Sequence, residues 1–147
     1  MIVIEQNGNV QYFMIALRRG ELVLEKLRGF LKDRNIDAGL IISGIGSMDI
    51  CNIHFIKSTT LPPEDEFIKL EGPIEIASLQ GSIAGGEPHI HVSVFNQVSG
   101  KTFIGHLEDG SRCCYRIELG LIVFPSVKTA RITDPNTGLI DIIEKVK

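Results

Sequence analysis

His89 and His91, separated by Ile90, and His106 in Gly105-His106-Leu107 are the residues whose types and spacing could do chemistry. Side chains two apart on a β-strand share a face, so His89 and His91 can converge on one ion, with backbones about 7 Å apart. Neutral imidazole is a frequent zinc ligand, and a site of three protein ligands keeps one coordination position open for water or substrate. Whether His106 joins the pair depends on the loop between two strands. If residues 89–96 and 101–106 form a hairpin around Val98-Ser99-Gly100, an even loop turns His106 to the face of His89 and His91. Two loop residues set it opposite Ser93, and four set it opposite His91. Three would turn it away. The spacing alone leaves the bland alternative open, namely ordinary sheet histidines satisfied by carbonyls or water. His54 is isolated in sequence and reads as a sheet histidine ahead of a fourth ligand.

Two carboxylates fall in apolar strand segments. Glu118, in Tyr115-Arg116-Ile117-Glu118-Leu119-Gly120, could orient a histidine or act as a base on metal-bound water. The favoured alternative is an outward-facing charge paired with Arg116 or with a neighbouring subunit. Glu75 carries the same ambiguity. Gly44-Ile45-Gly46-Ser47 lacks the full phosphate-binding pattern and reads as a turn. Cys51, Cys113 and Cys114 have neither zinc-finger spacing nor a CxxC partner, so reduced thiols in a core are expected.

The elements that must position these residues follow from periodicity. With 147 residues, 44% of them hydrophobic, the chain is expected to form one domain over residues 1–147, with a core that needs no disulfides. A net charge of −3 gives no global field toward nucleic acid or anionic lipid. No apolar run is long enough to span a membrane and no secretory leader is visible, so a cytoplasmic location is expected. Val10–Leu17 reads as a strand, and Leu22, Val23, Leu27, Phe30 and Leu31 recur at helical spacing after it. Strands are then expected at 38–43, 48–56, 74–83, 89–95, 102–107 and 112–124. A loop is expected at 61–66 and a turn at Asp134–Gly138, before a terminal strand within 139–147. An early helix followed by short-looped strands makes the fold class α+β with a mainly antiparallel sheet.

The order of several short motifs resembles the PPC domain, the plant and prokaryote conserved domain, in its stand-alone prokaryotic form. Leu17-Arg18-Arg19-Gly20-Glu21 is similar to that family's entry into its first helix, and Ser43-Gly44-Ile45-Gly46 to its Ser-Gly-Ile-Gly segment. Gly72-Pro73-Ile74-Glu75-Ile76-Ala77-Ser78-Leu79-Gln80-Gly81, Pro88-His89-Ile90-His91, Gly105-His106-Leu107 and Glu118 then follow in the family's order. Ile104 stands where the family has a glycine, and Ile74 where it has an aromatic residue. The resemblance implies a homotrimer with the histidines near a subunit boundary. A more distant, fold-level similarity to acetolactate decarboxylase implies a metal on an HxH pair and a later histidine, with no substrate assigned. Plant relatives carry AT-hooks; this chain has no Arg-Gly-Arg-Pro, and strong DNA binding is not expected. The combined expectation is a cytoplasmic homotrimer that binds zinc or another divalent metal through His89, His91 and His106. Glu118 is the first acid or base to test, and a small molecule the expected ligand. The alternative is a non-enzymatic assembly or DNA-binding module.

Overall fold

Alternating burial along the strands decides which side chains enter the core and which are free for other work. The computed structural model describes residues 2–145. Its elements are β1 (Gln11–Arg18), α1 (Val23–Asp33), β2 (Ala38–Ile56), β3 (Asp65–Ala84), β4 (Glu87–Asn96), β5 (Lys101–Leu107), β6 (Arg112–Val123), β7 (Thr129–Thr133) and β8 (Ile140–Glu144). The fold is α+β, and every strand pairing is antiparallel. Along β4, Pro88, Ile90, Val92 and Val94 are buried, while His89, His91, Ser93 and Phe95 point to the other face.

Six strands form one sheet in the order β1-β6-β2-β3-β4-β5, and β5 pairs again with β2. The four strands from β2 to β5 therefore close on themselves. Helix α1 covers the core with Val23, Leu24, Leu27 and Leu31, a stripe at helical spacing. Ion pairs from Arg28 to Glu87 at 2.7 Å and to Asp109 at 2.6 Å fasten the helix across the start of β4 and the β5–β6 turn. Leu27, Leu31, Ile53, Leu79, Ile90 and Leu107 belong to one cluster. Removing each such side chain from water contributes about 1.5–3 kcal/mol.

Two expectations are corrected, and one strand is added. Gly44-Ile45-Gly46-Ser47 does not turn the chain; β2 runs through it for 19 residues, with register shifts between Ile41 and Ser43, Gly46 and Met48, and Met48 and Ile50. Gly46 takes a φ of +137°, and a Cβ there would collide with the Arg116 carbonyl oxygen, so glycine bends the strand without ending its pairing. The strand expected from residue 74 begins at Asp65, and Gly72-Pro73 lies inside it, at the irregularity where the β2–β3 register shifts between Met48 and Ile50. The strand expected near the C-terminus is present as β8, but its partner β7 escaped the sequence reading; residues 146–147 of the expected strand lie outside the described residues.

Gly81 on β3 faces Ile90 on β4, and a Cβ at Gly81 would run into the His89 carbonyl oxygen. Gly81→Ala is expected to destabilise the protein by about 1–3 kcal/mol through overpacking. Urea unfolding would measure it, and an unchanged midpoint would contradict so close an approach of the two strands.

Candidate metal centre

Four residues, 97–100, join β4 to β5. The Gly100 N–H donates to the Asn96 carbonyl at 2.9 Å, and the Ser99 N–H donates to the Asn96 side chain at 2.8 Å. Gly100 has a φ of +66°, a conformation glycine adopts at little cost. This even loop fixes the register, placing His91 opposite His106 and Val92 opposite Gly105. His106 therefore shares the outward face with His89 and His91, and the ring centroids of His89 and His106 are 4.7 Å apart. The His89–His91 and His91–His106 centroids are 5.2 Å and 5.7 Å apart. One nitrogen from each of these three rings lies within 4.8 Å of the others.

The closure of β5 onto β2 adds a fourth ring. Its register pairs Ile53 with Leu107 and His54 with His106, and a Cβ on Gly105 would stand 2.7 Å from the His54 carbonyl oxygen. Only glycine lets the two backbones come this close. The His54 and His106 rings stack with centroids 4.5 Å apart, and His54 Nδ1 shares a hydrogen bond of 2.5 Å with Glu108 Oε1. His54, His106 and Glu108 form a second group with ligand atoms within 4.8 Å, and His106 belongs to both groups.

Burial prepares the donors. Desolvation, with smaller contributions from neighbouring His89, His54, His91 and Arg131, pushes the His106 pKa down to about 4. His89 is also lowered, by desolvation first and then by the positive charge of Arg131. Both rings are neutral near pH 7 and carry a nitrogen lone pair, the form in which imidazole binds a metal. The donor set thus fits a divalent ion of the zinc type.

Glu118 stands apart from these rings within its own chain. It lies on β6 opposite Ile45 of β2, nine residues from His54 along that strand, and pairs with Arg116 at 3.3 Å. It lines a groove with Tyr12, Met14, Ile42 and Ile45. Glu75 is exposed on β3 and belongs to neither histidine group. Cys51 and Cys113 are buried free thiols, and burial pushes Cys51 up to about 12, so neither is poised as a nucleophile. Ile104 lies on the His106 face with 64% of its surface exposed.

The sequence reading missed the His54–Glu108 pair. One signal was present, since Glu108 is two residues from His106 and such spacing shares a face. The partner strand for His54 was not readable, because the β2–β5 closure is set by tertiary structure.

The sequence pattern of a family described as the Plants and Prokaryotes Conserved (PCC) domain matches residues 4–125. The chain belongs to this family. The PCC segment thus holds all four histidines and ends before β7. A metal-containing protein from Archaeoglobus fulgidus superposes with a TM-score of 0.81 at 27% identity, covering 98% of this chain and 100% of the other. A plant- and prokaryote-conserved protein from Pyrococcus horikoshii gives 0.78 at 27% identity, covering 100% and 99%. A protein from Ralstonia eutropha JMP134, provisionally described as DNA-binding, gives 0.73 at 25% identity over 88% of each chain. That description gives no support to the expectation, drawn from net charge, that DNA is not bound strongly. Among curated relatives, the bifunctional protein GlmU of Synechococcus sp. (strain JA-3-3Ab) is 27% identical over 140 residues, which is 95% of this chain. The PCC chain spans about a fifth, 21%, of that relative's length. Among the described residues, no helix is long and apolar enough to cross a membrane.

Proposed function

We propose that this PCC-domain protein binds a divalent metal ion, zinc by the character of its donors, through His89, His91 and His106, and presents it to a small-molecule ligand. The observation that carries the reading is the convergence of three imidazole nitrogens within 4.8 Å on the face of the sheet opposite the core. The lowered pKa values of His89 and His106 support it, as does the metal content of the Archaeoglobus fulgidus relative. Bound there, zinc would supply Lewis acidity at an open coordination position. The chain's own part is to hold the three rings neutral and fixed, with His54 oriented by Glu108 beside them. Free buried thiols suit the cytoplasmic location this reading includes.

Self-association into a homotrimer belongs to the same reading. Tyr12, Met14, Ile42 and Ile45 are exposed apolar side chains on β1 and β2, the two strands that flank β6, and line one groove, a patch that a second copy would remove from water. Glu118 is on that face, so its proposed role as acid or base depends on assembly and not on reach within one chain.

Protein purified without an affinity tag is expected to contain about one divalent ion per chain by elemental analysis. A His89→Ala, His91→Ala double variant is expected to contain none, and equal metal in the two would sink the assignment. Sedimentation equilibrium is expected to give three times the 16.2 kDa chain mass, with a smaller particle for Met14→Glu, Ile45→Glu. A monomeric wild type would remove the trimer. A second reading, a DNA-contacting module, has one observation behind it, the description of the Ralstonia eutropha protein. Sequence-selective duplex binding that survives physiological salt would favour it, whereas binding that collapses between low and physiological salt would be non-specific attraction.

A further inference from the structure

Arg131 lies outside the segment that matches the family, six residues beyond its end. Strand β7 brings it to the histidine face. The Thr129 hydroxyl accepts the Gly85 N–H at 2.8 Å, and the Thr129 N–H donates to Asp37, which docks β7 on the β3–β4 turn just before His89. A Cβ on Gly85 would stand 3.8 Å from the Arg131 backbone nitrogen. Gly85 belongs to the turn that leads into Glu87, the first residue of β4, whose side chain shares a face with His89.

Among the described residues, Arg131 Nε and Nη2 are buried and have no hydrogen-bond partner. The nearby carboxylate, Glu87, is turned to the helix, its Oε1 held by Arg28 at 2.7 Å and 2.8 Å, and makes no hydrogen bond to Arg131. Buried charged donors left unpaired are disfavoured, and they persist where a ligand completes them. The identity of the two orphans is informative. Nε and Nη2 form one edge of the guanidinium, and the same edge of Arg112 holds both oxygens of Asp49, at 2.9 Å and 3.0 Å. That edge matches the two oxygens of a carboxylate.

We propose that the Nε–Nη2 edge of Arg131 receives a carboxylate of a small organic acid bound at the histidine centre. The inference rests on the metal-centre reading and names its ligand class. One carboxylate pairs with the guanidinium while another oxygen of the same molecule faces the three imidazoles.

The test is calorimetric titration of the zinc-loaded protein with oxalate and with its neutral analogue oxamide, with zinc content measured before and after. Wild type is expected to bind oxalate and not oxamide. Arg131→Gln is expected to lose at least about tenfold in oxalate affinity at unchanged zinc content, and Arg131→Lys, which keeps the charge but not the paired edge, to fall between them. Oxalate binding by Arg131→Gln or Arg131→Lys equal to wild type would overturn the proposal, as would a wild type that binds oxamide equally or oxalate not at all. If Arg131→Gln does not fold, Arg131→Lys decides by the same criterion. If the protein takes up no zinc, the metal-centre reading fails separately. Oxalate is then titrated into the metal-free protein: binding lost in the Arg131 variants keeps the inference, and its absence in wild type overturns it.

Discussion

The approach of β5 to β2 at Gly105 is the constraint on which the site depends. Without a side chain at that position, the His54 carbonyl and the β5 backbone can come within a distance that any Cβ would forbid. That contact converts a sheet into a closed set of four strands, and the closure stacks His54 on His106. Meanwhile the four-residue β4–β5 loop sets His106 against His91. Two backbone decisions, one at Gly105 and one at Gly100, thus assemble four imidazoles drawn from three strands. No side-chain attraction between the histidines is needed, and their mutual effect when protonated is repulsive.

Much of this was legible before any coordinates. The HxH pair announced its shared face by period alone, and the even-loop argument placed His106 correctly among its options because no bulge interrupts the alternation between β4 and β5. The helix from residue 23 and most strands also followed from apolar spacing. What the sequence concealed had a common physical cause: it depended on partners distant along the chain. Gly46 looked like a turn because glycine permits one, yet cross-strand pairing with β6 kept β2 extended and used the glycine to bend. His54 looked isolated because its neighbour is 52 residues away. Arg131 carried no local signal, since its significance comes from β7 docking on the β3–β4 turn and from two buried guanidinium nitrogens without a hydrogen-bond partner.

Glu118 shows the converse problem. An acid in an apolar strand invites a catalytic reading, but alternation sends it outward to Arg116, while its neighbours Ile117 and Leu119 enter the core. The apolar residues around it, Met14 and Ile45 among them, give that face a character suited to burial against another chain. Sequence pattern identified the residue as unusual, and its environment is an exposed groove lined by apolar side chains.

Because β4 divides its residues so cleanly, structural and chemical duties fall on opposite sides of one ribbon. Ile90, Val92 and Val94 hold the interior, and His89 and His91 occupy positions whose replacement leaves no cavity there. The donor set can therefore be rewritten, traded for other chemistry or abandoned while the scaffold endures. A domain arranged in this way is free to keep its shape across descendants that no longer share a task.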